Sequence, residues 1–153
     1  MQLSMKCSVA VHCLLYIYGA EDEKKVTSQV LAESTGCNPV IIRNTLSALK
    51  KAGIISVARG TGGAHLTRDI REITLLDIYM AMEPNGLPAI IGIHDCKERA
   101  CPVAQNIADI LKEPYQKIEE SIKTTMSGIT LQHLVESLRE KIEKSPTTKI
   151  SSQ

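Results

Sequence analysis

The sequence predicts a mainly α-helical fold with a small β-hairpin wing: a winged helix-turn-helix DNA-binding domain followed by a long dimerisation helix. Three observations predict it. Two helix signals joined by a tight glycine turn lie between Val26 and Ala52. A strand pair tipped by glycines, ISVARGTGGAHL, follows directly. Beyond Pro102 come two amphipathic helical runs with more apolar face than a small domain covers easily.

The first helix is expected from Leu3, Cys7, Ala10, Leu14 and Ile17, which fall on one face at helical spacing. A secretory signal needs an uninterrupted apolar segment, and His12 interrupts the one between Val9 and Tyr18. That segment is also too short to span a bilayer. The reading is a cytoplasmic protein with no membrane contact.

Thr27 or Ser28 caps the second helix by offering a side-chain oxygen to a free backbone N–H, with Val30 and Leu31 turned inward. Gly36 tolerates the positive φ of the turn. Asn38 and Pro39 restart the chain as N-cap and first helical residue. The third helix then runs from Pro39 to Ala52, stops at Gly53, and buries Ile42, Leu46 and Leu49. Its other side carries Arg43, Asn44, Ser47, Lys50 and Lys51, side chains that read base edges or hold phosphates. A solvated face would look the same in isolation. The helix before it and the hairpin after it favour DNA reading, with Ser28, Asn38 and Pro39 at its edge.

In the hairpin, Ile55, Val57 and Arg59 alternate with small or polar residues, and Ala64, His65 and Leu66 return. Gly60, Thr61, Gly62 and Gly63 form a tip that permits unusual dihedrals and close backbone approach. Arg59, Gly60, Thr61, Gly62 and His65 are the candidate wing contacts, since arginine suits the negative potential of a minor groove. The loop lacks the GK[ST] ending of a nucleotide-binding P-loop and does not open a helix.

At 153 residues the chain suits one domain, or a small domain plus a helical appendage. With no Phe or Trp its core must be aliphatic. Net charge is only +1, but its distribution is uneven. Residues 38 to 71 hold Arg43, Lys50, Lys51, Arg59, Arg68 and Arg71 against Asp69, a local balance of +5 that leaves −4 for the remainder. A basic segment coinciding with the presumed reading surface is what phosphate binding needs.

Thr74 and Asp77 form a capping-box pair ahead of a helix with Leu75, Ile78 and Met82 inward. Residues 84 to 101 read as an irregular segment, broken by Pro84, Gly86 and Pro88. Loops of that length in compact proteins are functional or disordered. Pro102 opens a helix to about Met126, striped by Val103, Ile107, Ile110, Leu111, Ile118 and Ile122. An interior proline loses a hydrogen bond and clashes with the preceding turn, so Pro114 is expected to kink or break it. Thr130 caps a last helix carrying Leu131, Leu134, Leu138 and Ile142. Homodimerisation would bury the apolar faces of 102–144, and a two-fold dimer suits a palindromic operator. The division is thus 1–83 for reading DNA, 84–101 as the irregular loop, 102–144 for dimerisation and 145–153 as a disordered tail.

Five cysteines, an odd number, do not suggest a disulfide framework and read as core, redox or metal residues. Cys7 and Cys13, among apolar residues of the first helix, read as core. Cys37, at the turn before the third helix, and Cys101, before Pro102, both stand where a helix N-terminus lowers a thiol's pKa. Lys97 and Arg99 add positive charge near Cys101. The spacing His94-x-Cys96-x4-Cys101, with Asp95 and Glu98 nearby, is tolerable for zinc or iron. Two thiolates and one histidine fall short of the usual cluster ligands. No cofactor is expected, with an iron–sulfur cluster or metal ion as the alternative. His65 reads as wing decoration, and His12 and His133 as surface or satisfied core histidines. The chain has no CxxC pair and no partnered catalytic histidine, so no enzyme is expected.

The segments LSMKCSVAVHCLLYI, LAESTGCNPVIIRNTLSALKKAGIISVARGTGGAHLTR, ITLLDIYMAME and CPVAQNI, in this order over about residues 2 to 142, resemble the Rrf2 family of bacterial winged-helix regulators. The resemblance implies a dimeric DNA-binding regulator with a long helix crossing between subunits and a sensory loop before it. Cluster-binding members carry three cysteines in that loop, whereas this chain has Cys96 and Cys101 only, with Ala104 where a histidine can stand. Some members without a cluster pair a thiol near the recognition-helix turn with one near the partner's long helix, which here would match Cys37 with Cys101. The resulting expectation is a redox-responsive dimeric repressor acting through Cys37, Cys101 and Cys96. The alternatives are a cluster or metal sensor using the Cys96 and Cys101 loop, and a winged protein-interaction module without DNA.

Overall fold

The computed structural model describes residues 5–20, 25–59, 62–87, 91–96 and 100–145. Expectations for Leu3, Gly60, Thr61, Lys97, Glu98, Arg99 and the tail from 146 onward lie outside the described residues. Among the described residues, six helices and a two-stranded antiparallel hairpin follow in the order α1 (Met5–Gly19), α2 (Ser28–Thr35), α3 (Pro39–Lys51), β1 (Ile55–Val57), β2 (Ala64–Leu66), α4 (Leu75–Met82), α5 (Pro102–Gly128) and α6 (Leu131–Lys144). The fold is the expected winged helix. Among the described residues no helix is long and apolar enough to cross a membrane.

Local chemistry sets most boundaries. Thr27, not Ser28, caps α2, its side chain accepting from the Val30 amide at 3.3 Å. Gly36 ends that helix at φ 70°, and Asn38 caps α3 by accepting from the Val40 amide at 2.8 Å. Gly53, at φ 72°, closes α3 one residue beyond its Ala52 C-cap. The wing pairs Ile55 with Leu66, Ser56 with His65 and Val57 with Ala64. β1 is shorter than the alternation suggested: Arg59 lies beyond it, and only Ile55 of its three residues is buried. The reason is that two strands with no third neighbour bury little.

Gly62 and Gly63 serve the wing through space and not through dihedral freedom. Neither Gly62 nor Gly63 has positive φ. A Cβ on Gly63 would stand 2.6 Å from the Val26 nitrogen, because Ala64 donates to the Val26 carbonyl at 2.9 Å. The returning strand is thereby laced to the segment that precedes α2.

One aliphatic core gathers Ala10, Cys13, Leu14 and Ile17 of α1, Leu31 of α2, Ile42, Leu46 and Leu49 of α3, Ile54 and Ile55, Ile73, and Ile78 of α4. Leu131 and Val135 of α6 belong to the same core. The caps of α4 and α6 are joined by a short antiparallel bridge between Thr74 and Thr130, with Leu75 donating to Ile129 at 2.7 Å and Leu131 to Ile73 at 2.8 Å. Each threonine heads a capping box, closed by Asp77 in α4 and by the His133 ring in α6.

α5 behaves differently. Pro114 does not break it: helix continues through all 27 residues, about 40 Å at helical rise. The missing N–H frees one carbonyl, and on so exposed a helix water can satisfy it. Only Met126 is buried, in a second cluster with Tyr79 and Leu87 that docks the C-terminal end of α5 against α4.

Candidate nucleic-acid interface

α3 presents two surfaces because its apolar residues recur at helical spacing. Ile42, Leu46 and Leu49 enter the core together with Thr45, whose hydroxyl donates to the Ile41 carbonyl at 2.9 Å. Arg43, Asn44, Ser47, Lys50 and Lys51 are all exposed. Arg43, Ser47 and Lys50 line a groove of about 480 Å³ shared with Thr27, Ser28, Val57, Ala58, Gly62 and Gly63. Ser28, Arg43, Ser47, Lys50 and Gly62 are thus brought together between helix and wing. Asn38 and Pro39 stand at the start of α3, and His65 is exposed on β2 opposite Ser56.

The basic segment divides once side chains are in place. Arg68 pairs with Asp77 at 3.5 Å, and Arg71 with Asp69 at 2.7 Å. Arg71 holds the Asp69 carboxyl down to about 2. Among the described residues, Arg43, Lys50, Lys51 and Arg59 have no such carboxylate partner. Within this segment the uncompensated charge is therefore carried by α3 and the wing. Sequence reasoning missed Val40 and Ile41, which are 55% and 48% exposed at the first turn of α3. Their signal was available: both are apolar yet lie off the 42–46–49 stripe. Exposed apolar groups beside hydrogen-bonding ones suit the methyl of thymine.

The thiols fall into distinct settings. Cys101 is exposed at the N-cap of α5 and makes no full cap hydrogen bond, but the Ala104 and Val103 amides lower its pKa. Cys37 is half-buried against the core, with its sulfur 3.9 Å from the Thr35 carbonyl. It precedes the N-cap of α3 without occupying it. Cys7 and Cys13 are pushed up in pKa, chiefly by burial. His12 is a surface residue bonded to Ser34, and His133 a capping residue.

In the segment before α5, Cys96 lies 3.3 Å from His94 Nε2. His94, Asp95 and Cys96 run along Ala104, Gln105, Ile107 and Ala108. Cys101 does not join them: among the described residues no three His, Cys, Asp or Glu side chains converge as a metal site requires.

The sequence profile of the Rrf2 family, described as iron-dependent transcriptional regulators, matches residues 3–137. The HTH-type transcriptional regulator YwnA of Bacillus subtilis (strain 168) is 28% identical over 136 residues, 89% of this chain and 98% of that relative. A transcriptional regulator from Lactobacillus plantarum of known crystal structure is 29% identical at a TM-score of 0.72, covering 92% of this chain and 99% of that chain. A crystal structure described as that of a DNA-binding protein is 30% identical at a TM-score of 0.68, over 84% of this chain and 97% of the other. For the iron in the family's description, the described residues bring Cys96 and His94 together but hold no group of three donors. By profile, relatives and winged fold, the chain belongs to the Rrf2 family of transcriptional regulators, which are not enzymes.

Proposed function

We propose that the protein is a homodimeric repressor that places α3 in the major groove of a palindromic operator and responds to oxidation through its thiols. The observation that carries the DNA reading is the set of four cations without carboxylate partners on α3 and the wing. Asn44 and Ser47, with Arg43, are the candidates for base edges, while Lys50 and Lys51 take phosphates. Ser28, Asn38 and Pro39 border the contact. Arg59, Gly60, Thr61, Gly62 and His65 make up the wing contact. Residues 1–83 form the reading unit, 84–101 the sensing segment and 102–144 the dimerisation helices. Such a protein works beside the chromosome, in the cytoplasm.

The redox part is supported by Cys101, the exposed thiol whose pKa neighbouring amides lower, and by Cys37 one residue before the N-cap of α3. Cys96, beside His94, is a third oxidisable group. Operator affinity that peroxide leaves unchanged would remove this part of the reading.

The test of the DNA reading uses duplexes selected in vitro from a random pool. Arg43→Ala should weaken binding to the selected sequence by about 1–3 kcal/mol and binding to random DNA by much less. Equal losses on both would show phosphate contact only. A pool that enriches no sequence, with no salt-dependent affinity, would favour a protein-interaction module.

A further inference from the structure

In a recognition helix laid in the major groove, the residues nearest its N-terminus meet the base edges. The first turn of α3 offers little there to hydrogen-bond with. Asn38 spends its side-chain oxygen on the Val40 amide at 2.8 Å, and Pro39 has no N–H. The Pro39 carbonyl accepts from Arg43 Nε at 3.3 Å, which lays the arginine back along the turn. Val40 itself is 55% exposed. Residues 40, 44, 47 and 51 recur at i, i+4, i+7 and i+11, so Val40 heads the same row as Asn44, Ser47 and Lys51. All four are exposed. Ile41, 48% exposed, lies on the side of that row away from Arg43. An apolar residue leading a polar row buries nothing within the chain, since the core takes Ile42, Leu46 and Leu49 from the opposite side of the helix.

We propose that Val40 reads thymine: its two methyl groups pack against the 5-methyl group of a thymine in the major groove, and this contact sets the base at that position of the operator. The inference rests on the reading of α3 as the helix that enters DNA. Its chemistry follows from what the groove displays. Every base pair there shows hydrogen-bonding groups, and thymine adds a methyl, which apolar surface recognises. A β-branched side chain in a helix keeps essentially one rotamer. Both methyls of Val40 are thus held in place before DNA arrives, and little entropy is lost on contact. Charge complementarity brings a duplex to this face, because Arg43, Lys50 and Lys51 have no carboxylate partner among the described residues. Val40 supplies no charge, so its effect falls on sequence choice and not on affinity for DNA at large. One methyl buried in such a contact is worth about fourfold in affinity.

The experiment uses the full chain and its Val40→Ala, Val40→Ser and Ile41→Ala variants, with the duplex that the wild-type protein selects from a random pool. Each thymine of that duplex is replaced singly by deoxyuridine, which removes the methyl and leaves every hydrogen-bonding group in place. The expected result is at least one position where the exchange weakens wild-type binding about fourfold and leaves both Val40 variants unaffected. Ile41→Ala should still lose affinity at that position. Both Val40 variants should bind random DNA with wild-type affinity and salt dependence, which requires a folded domain. A selected duplex in which every exchange is silent, or costs the Val40 variants as much as the wild type, would overturn the methyl contact and leave the DNA reading standing. Discrimination kept by the Val40 variants and lost in Ile41→Ala would overturn its assignment to Val40. A pool that enriches no sequence would overturn the reading of α3, and this inference with it.

Discussion

Arg43 and Arg71 carry the same charge and belong to the same basic segment, yet only one is available to a polyanion. Arg71 is matched by Asp69 at 2.7 Å, whereas Arg43 bonds the Pro39 carbonyl of its own helix at 3.3 Å and keeps its charge uncompensated. A count along the chain weights the two equally; only side-chain placement separates them. The cysteines differ in the same way. Cys101 has a lowered pKa from the Val103 and Ala104 amides, while burial raises Cys7 and Cys13. A lowered pKa enlarges the thiolate fraction below the ordinary thiol value, and a raised one shrinks it. Iodoacetamide at pH 7 should therefore label Cys101 well ahead of Cys7 and Cys13, with the gap narrowing as pH rises. Peptide mapping of a time course checks this, and early labelling of Cys13 would contradict the burial assigned to it.

Elements were legible where one residue type performs one local job. Thr27, Asn38, Thr74 and Thr130 cap, and Gly36 and Gly53 close, because each satisfies a backbone group within a few residues of itself. Pro114 shows the limit of such reasoning. Its cost is local, but whether a helix survives it depends on the turns either side and on water reaching the freed carbonyl. The penalty remains in the folded state. Pro114→Ala should raise stability by about 1–3 kcal/mol in urea unfolding at fixed protein concentration, since the proline's surroundings are exposed and nothing need repack. A loss of stability would mean that the proline sets a bend the fold requires. The wing was legible as a hairpin, but the purpose of Gly63 was not. Its closeness to Val26 joins residues far apart in sequence.

At the scale of the molecule, α5 is the open question that the fold poses. Val103, Ile110 and Ile118 are 65%, 60% and 44% exposed, and among the described residues the helix's buried contact lies at its C-terminal end. A second copy is the occupant proposed for that stripe, consistent with an isologous two-fold contact. Ile110→Glu should give a monomer in sedimentation at micromolar concentration and weaken operator binding, because two half-sites would no longer be held together. Unchanged sedimentation would exclude the stripe as the interface. α6 takes a course that periodicity could not show: Leu131 and Val135 return to the core shared by α1 to α4, leaving Leu138 and Ile142 outside. The sequence by itself determined the winged helix, its capped boundaries and the polar face of α3, because hydrophobic spacing and capping act over a few residues. Tertiary structure alone decided which cations of the basic segment stay without a carboxylate partner, and that the cap of α4 bridges to the cap of α6. Those are matters of distance between residues remote in sequence, and they exist only once the core has closed.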